Sequence, residues 1–431
     1  MATKLAGSVR FTRALRHRPF ALLWIGQTIS AVGDGAFLIA LPWTVLILTH
    51  SATAMGLVSI AGMLPRVAFL LVGGVAADRF SRRRILLYSD AGRAMAVLGV
   101  AALALMHTLR LWHLVGLGLL FGIADGFFMP AYNAIPPLLV PADDLPSANA
   151  LSSLGRQMSF LVGPALGAFF IAVTNVQGAF LFDAATFVLS ALCLVALRMP
   201  KPGEAAASPS MVASEGESER ARKRGIAGAL ADIREGLGYV TRSTWLWLTI
   251  AIAAFGNACW SGSLFVSAPK LIADTFHGGV WLLGLLQTLM AVGSIVATLA
   301  VGNMRKLRHR GILAYGGLCI SCVSLIALGL PIPAAAAPVL LGVAGAGIGI
   351  GLGIFDPIWS TTLQELVPTD KLGRVSSIDW LGSLVMTPVG LALGGVLTDH
   401  IGPSLVFIGA GLINLALALG ALTARGIREL D

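Results

Sequence analysis

Apolar runs of about 20 residues, separated by short polar breaks, recur along almost the whole chain. A helix of that length crosses the hydrocarbon core of a bilayer, and the pattern predicts twelve such spans. Six fall at 20–48, 53–77, 85–106, 112–135, 147–173 and 179–197. Six more follow at 244–268, 280–303, 311–330, 336–360, 376–398 and 402–424. Residues 311–355 carry no charged side chain, and Pro331, Pro333 and Pro338 divide that stretch into two helices. A membrane barrel would instead alternate apolar and polar residues over segments of about ten.

Composition sharpens the reading. Of the 431 residues 56% are apolar, and Asp, Glu, Lys and Arg make up 12%, against about 25% in soluble domains. That excludes a soluble fold and leaves an all-α polytopic membrane protein. The N-terminus, the even-numbered loops and the C-terminus hold 25 of the 30 Lys and Arg, whereas the opposite side holds Arg110 and Lys270. Arg66, Arg93 and Arg156 lie within spans. By the positive-inside rule both termini are expected in the cytoplasm, in the plasma membrane of a bacterium. The net charge of +9 is thus topological and implies no nucleic-acid partner. The basic stretch Lys4, Arg10, Arg13, Arg16 and Arg18 reads as a cytoplasmic anchor rather than a cleaved signal. The four cysteines sit in apolar runs, and Cys319-x-x-Cys322 reads as helix packing, not as a metal or redox site.

Three regions are expected: a six-helix half over 1–198, a cytoplasmic linker over 199–243, and a second six-helix half over 244–431. The linker is rich in Pro, Ala, Ser and mixed charge. It ends in Leu230, Ile233, Leu237 and Val240 at helical spacing, which predicts a short amphipathic helix on the membrane surface. The halves repeat. Phe128, Pro130, Val140 and Pro141 recur 227 residues later as Phe355, Pro357, Val367 and Pro368. Duplicated bundles around a midplane site are the layout of a secondary transporter.

Between spans two and three stands Gly74-Val-Ala-Ala-Asp78-Arg79-Phe80-Ser81-Arg82-Arg83. This resembles the Gly-x-x-x-Asp-Arg-x-Gly-Arg-Arg signature of the major facilitator superfamily, departing at Ser81; the second half has Lys306 where the acid would stand. Gly33-Asp34-Gly35, Leu363–Pro368 and Gly373–Ser377 resemble the subgroup of enterobactin exporters and macrolide efflux proteins. The resemblance implies that Asp78 latches onto the cytoplasmic end of helix eleven, where Ser376-Ser377-Ile378-Asp379 has capping-box form and predicts a helix start. It also implies export, because Gly163-Pro164-x-x-Gly167 in helix five is a pattern associated with exporters. The bland reading of that pattern is close helix packing. The alternating glycines 345–353 read the same way, since the spacing is not that of a nucleotide loop.

Charges inside spans are costly and mark function by default. Asp34 lies about 21 Å along helix one, at a depth similar to Arg66, and an Asp34–Arg66 pair is expected. Asp125 and Arg156 are expected to form a second. Each pair is either a static brace or a participant in proton coupling. In the family fold, helices one, four, seven and ten line the cavity. There the polar and aromatic positions are Gln27 and Asp34; Asp125, Met129 and Tyr132; Asn257, Trp260 and Ser261; and Asp356 and Trp359. For Asp356 a local hydrogen bond is the competing reading, and for the aromatics packing. Such a lining suits a hydrophobic or amphipathic solute. No glycine precedes a lysine, so a Walker A loop is absent and an ATP-driven pump is excluded; no catalytic motif indicates an enzyme, and no cofactor is implied. The leading reading is proton-coupled export of a drug or siderophore by a monomer. A lysophospholipid flippase and a non-transporting membrane sensor are the alternatives.

Overall fold

The computed structural model describes residues 12–199, 234–304, 308–428 and 430. Among these, eleven helical runs are long and apolar enough to cross a membrane. One of them, Ala142–Ala196, holds 55 residues. Its helical part, Leu145–Ala196, would be about 78 Å long if straight, more than twice the membrane core. Asn175, at φ 65 and ψ −172, divides it. The spans are therefore α1 (Arg18–Thr49), α2 (Ala52–Arg79), α3 (Arg82–Leu105), α4 (Leu111–Ala134), α5 (145–174) and α6 (176–196). After the linker come α7 (Thr244–Ser261, continued as helix to Thr275), α8 (Val280–Gly302) and α9 (Arg310–Leu328). The set closes with α10 (Ala337–Leu366), α11 (Thr369–Leu384 and Thr387–Ile401) and α12 (Pro403–Thr423).

Three boundaries differ from the sequence expectation. α7 runs on through two π-helical segments, Gly262–Ser267 and Leu271–Thr275, so Lys270 belongs to the helix rather than to a loop. α11 starts at Thr369, not at Ser376, because Pro368 supplies the non-helical entry residue; the capping-box form at Ser376–Asp379 lies inside the helix. α11 also breaks at Val385–Met386, just before Pro388, whose ring cannot follow the helical hydrogen-bond ladder.

The chain divides into two compact units, Met1–His50 with Leu57–Val212, and Ser51–Gly56 with Ala213–Asp431. In the first, α1 packs on α5 through glycine. A methyl placed on Gly163 would lie 2.6 Å from the Gly35 Cα, and one on Gly167 2.8 Å from the Ala36 Cα. These are backbone-to-backbone approaches that only glycine permits. α2 meets α4 at Gly73 and Gly126 in the same manner, and α3 packs on α6. The second unit repeats this pairing. α7 meets α11 at Gly262 and Gly390, α8 meets α10 at Gly345, Gly349 and Gly353, and α9 packs on α12 at Gly411. The alternating glycines of α10 thus serve two interfaces, because Gly347 and Gly351 face Ser324 and Ser321 of α9.

The 227-residue repeat reaches the side chains. Phe128 stacks on Tyr132 with centroids 5.5 Å apart and planes at 11°. Phe355 stacks on Trp359 at 6.2 Å and 11°. Each pair is one helical turn long and brackets a proline, Pro130 or Pro357.

The linker itself lies outside the described residues, as does the first part of the expected amphipathic helix. From residue 234 to 242 the chain is helical. Its Val240 is buried with Leu246, Leu363 and Val375, and its Glu235 accepts a hydrogen bond from Arg374 at 2.7 Å. The helix is therefore docked in the second unit by Val240 and Tyr239 and by ion pairs of Glu235 with Arg374 and Lys371. In the same unit Asp399, at the end of α11, accepts hydrogen bonds from the main-chain N–H groups of Ala52 and Thr53 at 2.9 Å and pairs with Lys270 at 2.5 Å. The carboxylate satisfies donors that the first turn of a helix leaves open.

Candidate functional site

Three helices of the first unit turn one face inward with the same spacing. α1 supplies Gln27, Ser30, Ala31 and Asp34; α4 supplies Asp125, Phe128, Met129 and Tyr132; α5 supplies Ser152, Gly155, Arg156 and Ser159. In each set the intervals are three, four and seven residues, which place side chains on one stripe of a helix. Together with Arg66 of α2 and Arg93 of α3 they enclose a cavity of ≈ 280 Å³. Many lining residues are polar, but the surface left open to a ligand is mostly carbon. The polar atoms are turned into one another.

At the centre stands Arg93, the largest fully buried side chain of the chain's described part, with a side-chain exposure of 1%. Its guanidinium donates to Asp90 at 2.6 Å and to Asp34 at 3.4 Å, and lies 3.6 Å from Asp125. The rings of Phe128 and Phe187 flank it at 4.3 and 4.6 Å from their centroids. The planar, delocalised cation suits such a place because it can stack on rings while donating in its plane. Asp90 is also fully buried, and it further accepts from Ser190 at 2.7 Å and from Gln27 at 3.2 Å. Gln27 donates to Ser190 as well, at 2.7 Å. Arg66 pairs with Asp125 at 2.8 Å and keeps 53% of its side chain exposed to the cavity.

This overturns both expected pairs. Arg66 binds Asp125 rather than Asp34, and Asp34 meets Arg93. Arg156 donates to Ser153 at 2.9 Å instead of pairing with Asp125, and is exposed. Depth along a helix was legible in the sequence, but the direction in which each side chain points was not. Asp90 and Arg93 were missed as candidates, although their spacing of three residues inside a span was visible.

The other expected residues fall as follows. Gln27, Met129 and Tyr132 line the cavity. In the second unit Asn257 donates to the Ser383 carbonyl at 2.8 Å, and Ser261 to the Thr387 carbonyl at 3.2 Å, so both bind α7 to α11 at its break. Trp359 donates to Asp379 at 3.1 Å and meets Trp245 edge-on at 5.6 Å. Asp379 is therefore a partner of an indole, not a helix cap. Trp260 is half-buried, and Asp356 is exposed on α10. Gly163 and Gly167 sit at the α1–α5 interface, with Pro164 between them inside the helix.

Of the loop signature, Arg82 donates to the Ala134 carbonyl at 2.9 Å, and Arg83 to the carbonyls of Leu194 and Val195 at 2.6 and 2.7 Å. Two of its arginines thus close the carbonyl ends of α4 and α6, where a cation is favoured by the helix dipole. Gly74 has open space around it and Arg79 ends α2 exposed. The side chain of Asp78 lies outside those described.

Similarity to known proteins extends over the whole chain. It is 23% identical over 416 residues to macrolide efflux protein A of Streptococcus pyogenes, covering 96% of this chain and 97% of that one. It is 28% identical over 423 residues to the multidrug efflux pump Tap of Mycobacterium tuberculosis strain H37Rv, covering 96% and 95%. Among solved structures, a bacterial homologue of the iron transporter ferroportin in its inward-facing state superimposes with a TM-score of 0.70 at 14% identity, covering 94% of this chain and 99% of that one. A D-xylose–proton symporter does so with 0.68 at 15%, covering 98% of each. At such identities the likeness shows the fold alone. Residues 23–387 match the family model described as Major Facilitator Superfamily, a family of transporters rather than enzymes. The chain is a multi-pass transporter of the inner membrane and belongs to the major facilitator superfamily.

Proposed function

We propose that this transporter exports hydrophobic or amphipathic organic solutes in exchange for protons, by alternating access, as a monomer with both termini in the cytoplasm. The observation that carries the reading is the ion-pair network on the wall of the first unit's cavity. Three aspartates and two arginines converge there, with Asp34 35% exposed and held by one contact of 3.4 Å. Within a membrane such groups are expensive unless they do work. A carboxylate that touches the cavity and holds only a long contact to Arg93 can take a proton without dismantling its neighbours, because Asp90 keeps Arg93 at 2.6 Å and Asp125 keeps Arg66 at 2.8 Å.

The efflux proteins of similar sequence support export over import. The largely carbon surface of the cavity supports an amphipathic solute over a sugar or phosphate. A small-molecule substrate and protons are then the partners, with lipid as the surrounding solvent. Accumulation of dyes, macrolides, siderophores and lysolipids in everted membrane vesicles, with and without a protonophore, tests the proposal. Uptake of at least one organic solute is expected, and the protonophore should abolish it. Uptake confined to lysolipids, or indifferent to the protonophore, contradicts the reading.

A further inference from the structure

α6 carries a carboxylate that the network does not use. Asp183 has no solvent exposure, and neither of its side-chain oxygens has a hydrogen-bond partner. The nearby Thr186 hydroxyl donates to the Asp183 main-chain carbonyl at 2.6 Å. The carboxyl points at α1. A methyl on Gly33 would press on Thr186 Oγ1 and fall 2.5 Å from Asp183 Oδ1, so this glycine leaves room for both groups. The next residue on α1 is Asp34, whose Oδ1 is likewise buried and without a partner.

The charges around Asp183 are otherwise engaged. From α3, Arg93 is tied to Asp90 at 2.6 Å, and Asp90 to Ser190 of α6 at 2.7 Å. Asp125 of α4 and Arg66 of α2 hold each other at 2.8 Å. Asp34, Arg93 and the Thr186 hydroxyl are the groups that act on Asp183. A bare carboxylate buried without a donor is among the costliest groups a protein can hold, whereas the neutral acid carries its own proton there.

We propose that Asp183 is a second proton-carrying residue of the transport cycle, exchanging one proton with Asp34. This rests on the proton-coupled reading above. The O–H bond at Asp183 breaks as one forms on Asp34, and the negative charge passes from Asp34 to Asp183. Because a charged Asp183 is costly where it lies, this is the transient arrangement, and the proton returns to Asp183 when Asp34 releases it. Neutralising Asp34 removes the charge that Arg93 holds at 3.4 Å, which couples the transfer to the network lining the cavity. Asp34 lines the cavity, while Asp183 is fully buried against the adjacent Gly33 of α1.

The test uses the full-length protein in proteoliposomes. Asp183→Asn is expected to lower the ratio of pH-driven accumulation to equilibrium exchange by about a hundredfold, the scale of a lost proton-transfer group. It should also remove the infrared band of a protonated carboxylic acid at neutral pH. An unchanged ratio overturns the inference, and so does an intact band. If the wild type itself shows no pH-driven accumulation, the proton-coupled reading fails, and the band alone then decides whether Asp183 holds a proton. Should Asp183→Asn not fold, Gly33→Ala, which presses a methyl on the Thr186 hydroxyl and the Asp183 carboxyl group, is expected to move the pH midpoint of that band. An unmoved midpoint overturns the inference.

Discussion

Replacing Arg93 by Met removes the cation at the centre of the network while keeping most of the volume. Asp90 would remain fully buried with only Ser190 and Gln27 to bond it, and Asp34 would lose its contact. Leaving one member of a buried pair costs about 3–5 kcal/mol. Two flanking rings, at 4.3 and 4.6 Å, would also lose a cation worth about 0.5–2 kcal/mol. The double variant Asp90→Asn, Arg93→Met removes charge and countercharge together and is expected to recover most of that loss, because an amide can still bond Ser190 and Gln27. The assay is thermal unfolding of the purified protein in one detergent, with both single variants and the double as a cycle. A single Arg93→Met variant as stable as wild type refutes the reasoning, as does a double variant less stable than either single one.

Other outcomes are fixed by the same structure. Gly163→Ala places a methyl 2.6 Å from the Gly35 Cα and should cost about 1–3 kcal/mol in thermal unfolding. Gly316→Ala, with open space around it, should be neutral or stabilise by up to about 1 kcal/mol. Asp399→Ala removes the acceptor for the Ala52 and Thr53 N–H groups and the partner of Lys270, for a loss of about 1–2 kcal/mol on the same assay. Arg156→Gln, at an exposed arginine held by Ser153, should stay within about 0.5 kcal/mol of wild type. A larger loss would mean that Arg156 is part of the buried network.

The sequence carried the spans and the repeat because both rest on period and length alone. It also carried the glycines of α10 and of Gly163–Gly167, since close helix approach needs small residues wherever the helices turn. Pairing within the site was not legible. Arg66 and Asp34 share a depth, but whether they meet depends on the rotation of α1 and α2 about their axes, which packing at Gly35 and Gly126 decides. Asp90, Arg93 and Asp183 were visible as charges inside spans, and applying the cost of intramembrane charge evenly along the chain would have found all three. The misplaced start of α11 has a local cause. Ser376–Asp379 has the form of a cap, yet Pro368 upstream already starts the helix.

On the proton-coupled reading, a proton taken by the cavity wall drives solute across the membrane. The most direct test of that reading is simultaneous measurement of solute and proton flux in proteoliposomes under an imposed pH gradient, for wild type and Asp34→Asn. Solute is expected to accumulate against its gradient while protons move the other way, and Asp34→Asn is expected to abolish both. Solute accumulation without proton movement, or unchanged in Asp34→Asn, would contradict the reading.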